Sequence, residues 1–240
     1  MHKRLSSHLL THDILYKSQY GFRAAHSCEH ALLEAQYCIN SALDKKQIAI
    51  LLLIDFSKAF DMVDHDILLH KLEHYGIRGA LLSWFKTYLI GREQYVYVND
   101  TSSGKLKLNY SVPQGSILGP LLFIIYTNDL PGISDNASYI FYADDANVIV
   151  TGHNYVELQE KINTILNSID NWVNLNGLKL NVKKTKYMIF SNRKCNENLN
   201  IRLNGITIKR TKCERFLGVL LDDKLSFKQH IAKLATKISI

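Results

Sequence analysis

The 240-residue chain is 47% hydrophobic and 21% charged, the balance of a globular protein with a sizeable core. Its net charge of +7 favours a polyanionic partner, nucleic acid first. Cys28, Cys38, Cys195 and Cys213 show no Cys-x-x-Cys spacing, which argues against a disulfide framework or zinc ribbon and for free thiols in a reducing compartment. No apolar run reaches the roughly 18 residues of a membrane span. The start, Met1-His2-Lys3-Arg4-Leu5, has no signal-peptide core. An intracellular protein is expected.

Residues 1–19 read as polar and weakly helical, as if the chain were entered from upstream. Gln19-Tyr20-Gly21-Phe22-Arg23 is turn-like. A helix is expected from about His26 to Leu43, with Ala31, Leu32, Ala35, Ile39 and Ala42 at helical spacing. The run Gln47 to Phe56 is almost continuously apolar, which predicts a strand buried on both faces with Asp55 at its C-terminal end. Asp64-His65-Asp66 has metal-ligand composition, but its place at the start of a helical pattern favours capping, with Asp64 as the cap and Gly76 as the stop. A further helix is expected over 79–89.

Strands are expected at 95–98 and 106–110, joined by a polar turn at 99–104. Pro113-Gln114-Gly115-Ser116 is expected to open a helix to about Leu130. The stretch 137–150 is apolar except for the adjacent acids Asp144 and Asp145. Two like charges in such a setting are costly unless a cation neutralises them. A tight turn between two strands would bring both to one rim. A long amphipathic helix follows, stopped at Gly177, then strands at 185–191 and 216–221. Asn204-Gly205 signals a hairpin between them. The tail from His230 begins another helix. Strands and helices do not alternate regularly, so the fold class expected is α+β, an antiparallel sheet packed on helices.

Asp55, Asp144 and Asp145 supply oxygen ligands suited to Mg²⁺ or Mn²⁺, but periodicity does not show that Asp55 meets the pair. The decisive feature is an ordered set of blocks. They are Gln19-Tyr20-Gly21-Phe22-Arg23, Leu53-Ile54-Asp55-Phe56-Ser57-Lys58-Ala59-Phe60-Asp61 and Val112-Pro113-Gln114-Gly115-Ser116-Ile117-Leu118-Gly119-Pro120. Phe141-Tyr142-Ala143-Asp144-Asp145, Gly177-Leu178-Lys179-Leu180-Asn181-Val182-Lys183-Lys184-Thr185 and Phe216-Leu217-Gly218-Val219 complete the set. The set closely resembles the reverse transcriptase of non-LTR (LINE-type, jockey-like) retrotransposons.

The resemblance implies a right-hand polymerase. Partial fingers are expected over 1–50, palm over 51–63, fingers over 64–112, palm over 113–222 and the start of a truncated thumb over 223–240. It implies RNA-templated DNA synthesis from a DNA primer and dNTPs, two Mg²⁺ or Mn²⁺ ions, further domains on a longer polyprotein and a nuclear setting. Asp55, Asp144 and Asp145 become metal-binding acids, with the Phe56 carbonyl as a further ligand. Phe60 becomes the steric gate against a 2′-hydroxyl, the alternative being core packing. Gln114 and Gly115 contact the incoming nucleotide and template base. Lys184, with Lys183 as its rival, acts on the leaving pyrophosphate. Arg23 holds phosphate or, alternatively, pairs with an acid. Two other readings stand beside this one. One is a truncated, inactive nucleic-acid-binding remnant. The other is the phospho-acceptor pocket of a signalling receiver, which the order of the acids and the irregular alternation disfavour.

Overall fold

The computed structural model describes residues 1–193 and 199–238. Cys195 lies outside the described residues. Cys28, Cys38 and Cys213 are free thiols. The chain divides into two compact units. One holds Met1–Lys17, Ser57–Leu130 and Val173–Lys179; the other holds Ser18–Phe56, Pro131–Trp172 and Leu180–Ile240.

The second unit is built on a five-stranded sheet. Its order is Lys209–Arg210, Lys186–Phe190, Ile48–Ile54, Asp145–Gly152, Ser138–Tyr142. Ile48–Ile54 lies at the centre and pairs antiparallel on both sides, which explains its unbroken apolar sequence: both faces and both edges are covered. The Cys28–Asp44 helix starts on a Ser27 side chain that accepts the His30 amide. It lays Ala31, Ala35, Ile39 and Ala42 against a core containing Ala49, Leu51, Ile140, Ile149, Met188 and Phe190. Its small residues let the helix come close to the sheet. The Tyr155–Leu175 helix buries Leu158, Ile162, Ile165, Leu166 and Ile169, the face expected from spacing.

Three expectations about this unit need correction. The sheet is mixed, because Lys209–Arg210 runs parallel to Lys186–Phe190. The Asn204-Gly205 reversal between Arg202–Leu203 and Ile206–Thr207 turns the chain back into the direction of the earlier strand. The strand expected at 216–221 is a hairpin of Cys213–Phe216 with Val219–Asp222, because Leu217 (φ +46) and Gly218 (φ +91) form its turn. The tail helix begins earlier, at Lys228, and runs to Ile238.

The first unit is mainly helical. It contains His2–Thr11, His65–His74, Gly79–Leu89 and Gly119–Tyr126. Asp64 caps its helix as expected, accepting the Asp66 and Ile67 amides. The Gly119–Tyr126 helix is apolar all round and buried from Leu121 to Tyr126. Lys71 anchors its C-terminus, donating to the Tyr126 carbonyl and to Asp129, each at 2.6 Å. This helix starts later than the sequence suggested. Residues 113–118 form a turn in which Gly115 has φ +75, the Ser116 hydroxyl donates to the Pro113 carbonyl, and the Gly119 amide donates to Ser116 Oγ. The strands near 93–107 are also shorter than expected. Glu93–Gln94 pairs with Leu106–Lys107, and Tyr97–Val98 pairs with Thr101–Ser102. The turn tightens to Asn99-Asp100 because both adopt left-handed φ, +47 and +58.

Candidate active site

The two acids sit at a hairpin tip. Tyr142 pairs with Asp145 in register, so Ala143 and Asp144 alone make the turn, with Ala143 at φ +58. The neighbouring pair of strands brings in the third acid. Ile54 lies opposite Ala146 in the antiparallel ladder, and one step along each strand sets Asp55 beside Asp145. Register therefore joins residues far apart in sequence, which no local pattern reveals.

The electrostatics follow from this placement. Burial first, then the charges of Asp144 and Asp55, push the Asp145 carboxyl above the usual carboxylate range. Among the described residues, no three His, Cys, Asp or Glu side chains are already gathered tightly enough to grip an ion. The donor set is nonetheless all carboxylate oxygen with excess negative charge, which fits a hard divalent cation.

The Asn181–Thr185 turn supports Asp55. The Asn181 amide donates to the Asp55 carbonyl at 2.8 Å. The Asp55 amide donates to Thr185 Oγ1 at 3.4 Å, and that hydroxyl donates to the Asn181 carbonyl at 3.0 Å. Lys184, on the same turn, places Nζ 4.0 Å from Asp55 Oδ2. The lysine is 71% exposed, so the pair adds little stability and leaves the ammonium able to reach other anions. Phe56 is buried and bridges Leu180. The Arg23 guanidinium donates to the Gln19 carbonyl at 3.3 Å, a backbone partner that sequence did not suggest.

Beside the acids opens a cavity of about 340 Å³. Asp55, Asp145 and Asn147 line it on the acid side, with Lys183, Lys184, Lys186 and Arg215 adding positive charge and Glu214, Phe216 and Leu217 completing the wall. Lys186 and Glu214 are paired at 2.6 Å. Of these, Lys186, Glu214 and Arg215 carried no role in the sequence reading. The signal that marked their neighbourhood was the Phe216-Leu217-Gly218-Val219 block.

The remaining candidates lie in the other unit. Phe60 is half-buried in the Ala59–Met62 turn of 3-10 helix and stacks on Phe123, centroids 4.4 Å apart. Gln114 donates from Nε2 to Asp61 Oδ1 at 2.7 Å. Gln114 and Gly115 stand in the turn that leads into the Gly119–Tyr126 helix.

The family profile described as "Reverse transcriptase (RNA-dependent DNA polymerase)" matches residues 1–221. The chain belongs to the reverse transcriptase family. It is 31% identical over 227 residues to the RNA-directed DNA polymerase from mobile element jockey of Drosophila funebris, covering 91% of this chain and 24% of that one. It is 30% identical over 242 residues to the probable RNA-directed DNA polymerase from transposon BS of Drosophila melanogaster, covering 95% of this chain and 26% of that one. This reverse transcriptase chain thus spans about a quarter of the length of the curated relatives it matches. Its fold is similar to telomerase structures from Candida albicans (TM-score 0.62, 14% identity, 94% of this chain and 37% of that one) and Candida tropicalis (TM-score 0.63, 12% identity, 95% and 44%).

Among the described residues of this reverse transcriptase chain, no helix is long and apolar enough to cross a membrane.

Proposed function

We propose that this chain is the catalytic core of an RNA-directed DNA polymerase of a non-LTR retrotransposon, adding dNTPs to a DNA primer 3′-hydroxyl on an RNA template. One observation carries the reading: the strand register that sets Asp55 beside Asp145 at the tip bearing Asp144. In this reading 51–63 and 113–222 are palm, 1–50 and 64–112 are fingers, and 223–240 begin a thumb.

Asp55, Asp144, Asp145 and the Phe56 carbonyl would hold two Mg²⁺ or Mn²⁺ ions. Such ions, when bound, stabilise the attacking and leaving oxygens of an in-line phosphoryl transfer. Lys184 hydrogen-bonds or protonates the leaving pyrophosphate. Its Nζ stands 4.0 Å from Asp55 Oδ2, beside the acids. Arg23, which also donates from Nη1 to the Gln19 carbonyl, holds template or triphosphate phosphate. Phe60, its ring stacked on Phe123, acts as the steric gate against a 2′-hydroxyl. Gln114 and Gly115 meet the nucleotide and template base, with Asp61 orienting the Gln114 amide.

Primer extension on a poly-rA/oligo-dT duplex with Mg²⁺ tests the reading. The wild-type chain should extend the primer, and Asp144→Ala should lose at least about a hundredfold in rate. Nucleic-acid binding without metal-dependent extension would instead make the chain an inert remnant.

A further inference from the structure

Ala143 is a poor residue for the conformation it holds. Its φ of +58 costs an alanine about 1–2 kcal/mol relative to a right-handed or extended backbone, and it immediately precedes Asp144. Something outside the hairpin must over-determine this turn.

Residues 18–21 do so. They run as a short parallel bridge beside the Ser138–Tyr142 strand, Gln19 opposite Phe141. The Phe141 amide donates to the Ser18 carbonyl at 2.9 Å and the Tyr20 amide donates to the Phe141 carbonyl at 2.8 Å. Gln19 is 3% exposed, and its Oε1 accepts two amides: Gly21 at 2.8 Å and Ala143 at 3.2 Å. Gly21 presses on the same turn. A Cβ there would stand 2.2 Å from the Ala143 nitrogen and 2.9 Å from its Cα. Behind the segment, the Glu34 carboxylate accepts the Ser18 and Tyr20 hydroxyls at 2.8 and 2.6 Å.

We propose that Gln19 is a positioning residue: its side-chain carbonyl holds the Ala143 amide and thereby fixes the left-handed turn that presents Asp144 and Asp145. The proposal rests on reading those two acids as the metal-binding pair. It accounts for the residue type. Both partners are buried amide donors, so an acceptor is required. A glutamate would satisfy them too but would add a negative charge at the turn that carries Asp144, whereas the glutamine amide accepts without charge.

The test uses the 240-residue chain with Gln19→Met, a side chain of similar shape without the acceptor, and measures Mn²⁺ binding by electron paramagnetic resonance without nucleic acid. Amide hydrogen exchange over 139–147 and primer extension against Mg²⁺ concentration accompany it. Gln19→Met should weaken Mn²⁺ binding about tenfold, the equivalent of one buried hydrogen bond, speed exchange in that segment and raise the Mg²⁺ needed for half-maximal extension. In an Ala143→Gly background, where the turn needs less holding, the same substitution should cost clearly less. Gly205→Ala, which strains a different turn, serves as a control for general destabilisation and should leave Mn²⁺ affinity unchanged.

Unchanged Mn²⁺ affinity in folded Gln19→Met overturns the proposal. So does an equal loss in the Gly205→Ala control, or an undiminished loss in the Ala143→Gly background. Should Gln19→Met not fold, Glu34→Gln loosens the same segment one layer out; weaker Mn²⁺ binding supports the proposal and unchanged binding overturns it. Asp144→Ala separates the two levels. If it binds and extends like the wild type, the acid assignment fails; if it alone loses both, only the role of Gln19 fails.

Discussion

Two reversals in the same unit solve one problem in opposite ways. Asn204-Gly205 and Ala143-Asp144 each join antiparallel strands through two residues. At the first, Asn204 (φ +50) and Gly205 (φ +75) are residue types that accept left-handed backbone, so the turn forms from its own sequence. At the second, an alanine takes that conformation, and Gln19 and Gly21 hold it from outside. A turn that only connects can be self-sufficient. A turn that must aim two acids stores strain and takes its support from elsewhere. The loop after Val219–Asp222 lies between these extremes. Leu225 (φ +52) and Phe227 (φ +56) are left-handed without glycine, and the neighbouring Asp222 carboxylate holds the loop by accepting the Lys224, Ser226 and Phe227 amides and the Ser226 hydroxyl.

These differences set an order of expected effects. Gly21→Ala should be the most damaging, about 3 kcal/mol or more, because its new methyl meets backbone rather than a yielding side chain. Chemical denaturation would measure it, and a loss below about 1 kcal/mol would show that the two segments part easily. Asp222→Ala comes next, at about 2 kcal/mol, since it leaves several amide donors without their acceptor. This contribution depends on pH. Burial pushes the Asp222 carboxyl up, but the hydrogen bonds from Ser226, Lys224 and Phe227 outweigh it and hold the group below the usual range. The stabilisation is therefore complete above the ordinary carboxylate range, about pH 4, and is lost as pH falls through the lowered native value. Unfolding curves of wild type and Asp222→Ala should converge in acid.

Gly205→Ala should cost about 1 kcal/mol, the price of a side chain at φ +75. Ala143→Gly should have the smallest effect and the opposite sign, a gain of up to about 1 kcal/mol in stability, together with slower primer extension because the acids are aimed less firmly. Equal losses at both turns would erase the distinction between them.

Much of the fold was legible because it is local. The unbroken apolar run marked the central strand, helical spacing marked the buried faces of the Cys28–Asp44 and Tyr155–Leu175 helices, and Asp64 announced its own cap. The errors fell where backbone conformation is not written in residue type. Leu217 at φ +46 makes a turn inside what reads as one strand. Residues 113–118 coil before the helix that Pro113 was expected to start. At the candidate site the acids themselves stood out by their cost in apolar surroundings, but the company they keep did not. Asp55 reaches Asp145 only through strand register, and Gln19 meets Ala143 across 124 positions with no local signal at either end. The block containing Gln19 marked the segment without giving it a task.

The span of that contact also bears on how the chain acquires its chemistry. Closing a loop of this length carries a large entropic cost that only the assembled sheet repays. Residues 18–21 cannot seat Ala143 until 138–143 have been synthesised and brought beside them. A partly folded chain would carry all three acids without aiming them. Under the proposed polymerase reading, aiming the acids would depend on this long-range contact as well as on the local hairpin.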